Sequence, residues 1–393
     1  MKKRIDMNPS WSSQTILLNA RAVKRALVIH PFGLGDALFI TPLLRSLKEN
    51  GVGEIDLLVG SRTREIFETN PCVHQVFEWD KTPVYGNRAR LKRWQKLARM
   101  FWLLWKKRYQ VVIDCSPSAQ YALLSFFLFW IPVRIGFRFR GRGAFLTHRV
   151  EIPDGFSKKP VAEYYFDLLR FFGVESSLKR TELFINDEDR TECGRILSQY
   201  QLNGDRSFIV VAPGGGESWG LDARLKRWPP AHFADLIRGL QRTHGSWFNE
   251  VAVLGAGNES PLAKKLVELL PDIPTKNLCG VGSIRAVTAL MKRASCVIAN
   301  DGGLAHLAHA VGVPTIVIYG PVDPVVYGPY PRNEHISMIT GQGPVCRPCY
   351  QQFRYQAGCQ GVECLNWLTA ERVLARLQAD RFVERILGDS VLK

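Results

Sequence analysis

From residue 25 onward the chain alternates short apolar runs with stretches whose apolar positions recur every three or four residues. Ala26–His30, Ile55–Gly60, Gln75–Trp79 and Val111–Cys115 read as buried strands, with helical spacing between them, beginning with a helix from about Asp36 to Lys48. From about Gly155 to Gly204 the pattern mixes helical and polar stretches, without a strong strand until Leu183–Ile185, and here the chain is expected to cross between domains. A second series follows at Phe208–Ala212, Val251–Gly255, Cys296–Asn300, Thr315–Tyr319 and His335–Thr340, separated by helical stretches at 230–243, 260–270, 284–293 and 303–311. Thr369–Leu387 reads as a closing amphipathic helix. Such alternation predicts an α/β fold with doubly wound parallel sheets. The expected division is an extension at 1–24, a Rossmann-like domain at 25–180, a second at 181–368, and a helix at 369–393 packing back toward the first domain. The longest apolar run, Tyr121–Val133, is interrupted by Ser125 and Pro132. It falls short of the ~20 residues of a spanning helix, so a buried helix is expected.

Ligands in such sheets bind beyond the carboxyl ends of the strands, where each series here has a glycine-rich turn. Asp301, Gly302 and Gly303 separate a strand from the helix opened by Leu304, leaving a bare helix start that suits phosphate. His306 lies four residues beyond Gly302, on the same helical face. The constellation suggests a nucleotide diphosphate site, although similar turns occur in parallel-sheet proteins without one. Gly214 and Gly215 follow another strand, and their backbone can approach a ligand closely. The first loop, Gly33-Leu34-Gly35-Asp36, lacks the third glycine of a dinucleotide fingerprint, because Leu38 stands there. Asp36 suits a helix cap as well as a general base.

Composition narrows the class. The 393 residues, 46% hydrophobic and 22% charged, are enough for two globular domains. A net charge of +16 implies an anionic partner: nucleic acid, a membrane surface or a phosphorylated substrate. Much of that charge lies between Arg88 and Gln110, among Trp94, Phe101, Trp102 and Trp105, a mixture that suits anionic lipid headgroups. Nucleic acid would use similar charges, but no RNA- or DNA-binding motif accompanies them. The N-terminus has no apolar run fit for a signal peptide, and nine cysteines without one point to a reducing cytosol. Cys346, Cys349, Cys359 and Cys364, spaced CxxC–x9–CxxxxC, could present four thiolates to a structural zinc or iron, or stand as free thiols. The other five read as core.

The stretch DGGLAHLAHAVGVPTIVIYGPVDP (301–324) resembles the signature of glycosyltransferase family 9, the ADP-heptose:lipopolysaccharide heptosyltransferases. HPFGLGDALFITPLLRSLK (30–48) resembles the first motif of that family, LKRWPPAHF (225–233) its Lys-x-Trp-Pro segment, and RIGF (134–137) its acceptor-half segment. The resemblance covers roughly residues 25–345. It implies a GT-B architecture, two Rossmann-like domains facing a cleft. The implied reaction is transfer of a sugar, heptose from ADP-heptose foremost, with inversion onto a lipopolysaccharide core or related phosphorylated or lipid-linked glycan. Asp36 matches the catalytic base and Lys226 the cation beside the leaving diphosphate. Glu259 aligns near the ribose contact, and Gly214, Gly215, Asp301, Gly302, Gly303, Leu304 and His306 complete the donor set. Gly33, Gly35, Arg134 and Arg138 fall on the acceptor side. The resemblance implies no cofactor for the chemistry, leaving-group charge falling to Lys226, His306 and the helix start. Some related heptosyltransferases carry a cysteine-bound metal in the 346–364 region. A peripheral position on the inner face of the bacterial cytoplasmic membrane is implied as well. The competing readings are a GT-B-type nucleotide-sugar epimerase and a non-catalytic nucleotide-sugar-binding relative.

Overall fold

Strands buried on both faces need apolar residues without alternation, and the chain supplies two such sets. A computed structural model describes residues 17–79, 87–174, 180–202, 207–245, 247–341, 343–355, 359 and 361–391, so residues 1–16 of the expected extension lie outside the described residues. The first sheet comprises β1 (Arg25–His30), β2 (Glu54–Val59), β3 (Gln75–Glu78), β4 (Val111–Asp114), β5 (Val133–Arg138) and β6 (His148–Glu151). All are parallel, in the order β3-β2-β1-β4-β5-β6. The second comprises β7 (Phe208–Ala212), β8 (Glu250–Val253), β9 (Thr275–Asn277), β10 (Val297–Asn300), β11 (Thr315–Tyr319) and β12 (Ile336–Thr340). Its order, β12-β11-β10-β7-β8-β9, repeats the topology of the first. The order reverses between β1 and β4 and between β7 and β10, and crevices form at such switch points.

In the first half the helices are α1 (Leu34–Phe39), α2 (Thr41–Glu49), α3 (Arg64–Glu68), α4 (Asn87–Lys107), α5 (Ala119–Phe127) and α6 (Val161–Asp167). The rest of the chain adds α7 (Asp187–Gln199), α8 (Pro230–Thr243), α9 (Ser260–Leu269), α10 (Ile284–Met291), α11 (Gly303–Ala310) and α12 (Pro324–Tyr327). A short hairpin, β13 (Tyr350–Gln351) and β14 (Arg354–Tyr355), precedes α13 (Glu363–Asn366), α14 (Ala370–Ala379) and α15 (Phe382–Val391). The first sheet separates two cores. Ala26 and Val28 face α1, α2 and α6, whereas Leu27 and Ile29 face α4 and α5. None of the described helices is long and apolar enough to cross a membrane.

Several expectations need correction. The helix expected over 36–48 begins at Leu34 and breaks at Ile40, because Pro42 has no N–H to continue the ladder. Leu183–Ile185 forms no strand; the Glu182 N–H donates to the Thr41 hydroxyl, and the Thr69 hydroxyl donates to the Phe184 carbonyl. The run Tyr121–Val133 is only half buried. Tyr121, Ser125 and Phe129 face the sheet, while Phe126, Phe127 and Trp130 are exposed. The closing helices do not return to the first half. Val373, Leu377, Phe382 and Ile386 join the core beneath α8, where Gly239 lets Leu374 approach.

The anchor of that closing segment is Trp228, whose indole N–H donates to the Leu368 carbonyl at 2.6 Å inside the same core. Trp228→Phe leaves that carbonyl without its donor, and a loss of about 1–3 kcal/mol is expected. The measurement is the denaturant midpoint, which should fall with the slope unchanged; an unmoved midpoint would show that the bond contributes nothing.

Candidate active site

β1 and β10 both end at the join between the halves, and each is followed by a glycine turn and a helix. α1 and α11 meet there. A Cβ on Gly35 would stand 2.6 Å from Cδ2 of His306, so only glycine allows this approach. The Phe39 ring meets the His306 ring edge-on at 5.1 Å. Beside this contact lies a cavity of about 410 Å³ lined by both halves, a size usual for small-ligand sites. Farther along the join, Arg285 of α10 ties Glu68 of α3 at 3.2 Å and Asp189 of α7 at 3.0 Å. The Ile284 N–H donates to Glu65 at 2.8 Å.

Charge in the cavity is concentrated. The Lys226 ammonium pairs with Asp301 at 2.7 Å, both side chains buried. Burial pushes the Asp36 carboxyl up to about 6; Lys226 opposes that rise and Asp301 adds to it. Burial holds His306 down to about 4, against the pull of Asp301. His306 is therefore a neutral imidazole near pH 7. It can offer a ring N–H and carries no positive charge there. Glu259 is fixed by the amides of Ala256 at 3.0 Å and Gly216 at 3.3 Å. Asn300, at the end of β10, accepts from the Trp228 N–H and donates to the Pro213 carbonyl, holding the loop that carries Lys226.

The cavity gathers Gly33, Gly35, Asp36, Gly214, Lys226, Glu259, Asp301, Gly302, Gly303, Leu304 and His306 from the expected set. It does not take in Gly215, which is pressed against the Ala223 carbonyl. Arg134 stands at the amino end of β5, away from the cavity, and donates to the carbonyls of Phe145 and Ile131. Arg138, at the other end of that strand, pairs with Glu151 at 3.2 Å and does not line the cavity. Sequence reasoning missed the loop Gly280–Ser283 and the rings of Tyr327 and Tyr350. The loop carries the same signal used elsewhere, a strand, then glycines, then a helix. The tyrosines carry none, since aromatic residues ordinarily read as core. Burial, reinforced by the Asp36 charge, pushes the Tyr350 hydroxyl well above its ordinary range.

Tyr350 reaches the cavity on the hairpin β13–β14, between the paired cysteines. Phe353 of this hairpin packs edge-on against Phe139 and Phe156 of the first half, at 5.1 and 5.0 Å. The Cys349 thiol is pushed up to about 12, chiefly by burial, with Cys346, Cys364 and Cys359 all contributing. Among the described residues, no three His, Cys, Asp or Glu side chains are arranged to hold a metal ion.

Residues 97–353 match the family described as glycosyltransferase family 9 (heptosyltransferase). Lipopolysaccharide heptosyltransferase 2 of Salmonella typhimurium is 25% identical over 371 residues, covering 90% of this chain and 98% of the relative. A family 9 glycosyltransferase from Veillonella parvula superposes with a TM-score of 0.71 at 20% identity, covering 94% of this chain and 99% of the other. The E. coli heptosyltransferase WaaC with ADP superposes with a TM-score of 0.64 at 20% identity, covering 91% and 99%.

The cavity wall generates a stability test. A Cβ on Gly214 would fall 2.1 Å from a carboxylate oxygen of Glu259, whereas one on Gly60 would meet nothing within 4 Å. Gly214→Ala is expected to lose about 1–3 kcal/mol by overpacking, and Gly60→Ala to be neutral or slightly stabilising. Comparing denaturation midpoints decides it: equal midpoints would mean that the Glu259 cradle yields freely.

Proposed function

The chain belongs to glycosyltransferase family 9, and from that premise we propose that it moves heptose from ADP-heptose onto a lipopolysaccharide core. A related phosphorylated or lipid-linked glycan is the same class of acceptor. The anomeric carbon is inverted, and the work is done on the inner face of the bacterial cytoplasmic membrane. One observation carries the proposal: Asp36 of the first half shares a cavity with Lys226, Asp301 and His306 of the second. Opposite-face attack requires a base on one wall and the leaving diphosphate on the other.

In this reading an acceptor hydroxyl attacks C1 while Asp36 takes its proton. A carboxyl raised to about 6 is a stronger base than an ordinary one yet is ionised at pH 7. The departing ADP develops charge on its diphosphate. Lys226, oriented by Asp301, meets that charge together with the N–H of His306 and the amides opening α11. Glu259, held by two amides, keeps lone pairs for ribose hydroxyls. Tyr350 and Tyr327 line the same cavity as Asp36. An epimerase or a non-catalytic binder would not release ADP in step with acceptor consumption.

Asp36→Asn keeps the size of the side chain but not the proton acceptor. Turnover should fall by roughly 10²–10⁴-fold, with ADP binding retained. In the wild type kcat/KM should rise tenfold per unit as pH increases toward about 6 and level off above it, because the ionised carboxylate is the competent form. Near-normal turnover by the variant, or the same acid limb in its residual activity, would remove Asp36 as the base.

A separate proposal concerns Cys346, Cys349, Cys359 and Cys364: that they draw together on one structural zinc or iron ion, outside the chemistry. Their spacing, CxxC–x9–CxxxxC, supports it. Protein purified without chelator should hold about one metal ion per chain. Cys346→Ser with Cys349→Ser should lose the ion and lower the melting temperature. Metal-free wild type would overturn this while leaving the transferase reading intact.

A further inference from the structure

Soluble surfaces scatter their large apolar side chains, and a contiguous group of them marks an interaction site. Among the described residues thirteen large hydrophobic side chains are exposed, and nine of these lie on α4, α5 or the turn after α5. On α4 they are Leu91, Trp94, Trp102 and Trp105. At ~100° per residue these four fall within an arc of about 80°. The buried side chains Met100 and Leu104 project from the opposite part of the helix. The helix thus has a second apolar stripe, which the core does not use.

α5 lies alongside. Phe101 of α4 touches Phe129 after α5 at 5.8 Å, and both helices cover the same face of the first sheet. Phe101 borders the tryptophan stripe on the helical wheel, so that stripe opens on the α5 side. There it meets Leu123, Phe126, Phe127, Leu128 and Trp130, the last 80% exposed. The two sets form one apolar strip on the outer layer, across the sheet from α1, α2 and α6.

Its charge is one-sided. Residues 81–150 contain fifteen Lys or Arg and a single acidic residue, Asp114, which is buried. Lys92, Arg99 and Lys106 lie on the flank of α4 next to the tryptophan stripe, whereas Lys96, farther round, meets Glu78 at 3.5 Å. The Lys106 ammonium sits 5.0 Å from the Trp102 ring, and the Arg134 guanidinium 4.9 Å from the Phe126 ring. Tryptophan and phenylalanine bordered by cations, with no exposed acid between, complement an interface with apolar acyl chains beneath anionic headgroups. A protein partner would need an acidic rim around an apolar groove. A second copy of this chain would set like charges against each other.

We propose that the outer face of the α4–α5 layer docks on an anionic phospholipid bilayer, lying in the interface without crossing it. This deepens the reading of a lipid-linked acceptor, but its test requires no turnover. Strands of the first sheet point toward the cavity, and α4 and α5 begin at that end and run away from it. A bilayer on this face would bring a lipid-anchored glycan to the cleft rim.

The test is co-sedimentation of the full chain with vesicles of phosphatidylglycerol and phosphatidylethanolamine, against phosphatidylcholine alone. Binding is expected for the anionic vesicles only, weakening as salt rises. Brominated acyl chains should quench tryptophan fluorescence. Trp94→Ser/Trp102→Ser/Trp105→Ser and, separately, Phe126→Ser/Phe127→Ser should each weaken vesicle binding by at least roughly tenfold. ADP-induced thermal stabilisation, kept in both variants, verifies folding. Four results would overturn the proposal: no vesicle binding, equal binding to neutral vesicles, wild-type binding by both variants, or a vesicle-free dimer that dissociates in the tryptophan variant. Failure of turnover with intact vesicle binding would count against the transferase reading alone.

Discussion

The contact between α1 and α11 is the constraint on which the site depends. Two helices that begin at the ends of two separate sheets must come close enough for a histidine ring to lie on a glycine, and Gly35 against His306 is that fit. Once it is made, Asp36 and Asp301 line one cavity, although 264 positions separate them along the chain. Arg285 and the Phe353 hairpin hold the join elsewhere, each borrowing partners from the opposite half. The buried cluster under α1, α2 and α6 runs on without a break into the second half, and neither half alone would enclose the cavity.

Inside that enclosure the buried pair Lys226–Asp301 has a positioning role more than a stabilising one. Removing such charges from water costs several kcal/mol per ion, and mutual attraction offsets that cost only with good geometry. What the pair secures is a single direction for the ammonium. Asn300 secures the loop beneath it, bonding backbone on both sides. The network thus runs from β10 through Asn300 to Lys226, so the position of the cation is inherited from the sheet.

Much of this was legible in the chain. Unbroken apolar runs marked most of the parallel strands, and strand–glycine–helix turns marked both α1 and α11, because backbone exposure at a helix start leaves a local signature. Asp36 and Lys226 were found through motif resemblance; as isolated residues they read equally as a cap and a loop charge. Three kinds of feature escaped. Long-range exposure did: Phe126 and Phe127 are as apolar as core residues, and no local pattern says that nothing covers them. Small strands did: β9 has three residues, fewer than periodicity can resolve. Convergence did: Tyr350 enters the cavity because a hairpin near the end of the second half packs on Phe139 and Phe156, a relation between segments more than 190 residues apart. The strand β5 escaped as well. Arg134 and Arg138 lie four residues apart in one motif, yet a strand puts them at opposite ends.

Burial sets the proton affinities of Asp36 and His306 in opposite directions, and that burial is shared: each residue is shielded by the helix of the other. A cleft widened between α1 and α11 would wet both groups at once, returning the carboxyl and the imidazole toward their ordinary values. Acidity in this enzyme is thus a function of the gap between its lobes. The proton affinities of the carboxyl and the imidazole are both tied to how closely α1 and α11 pack.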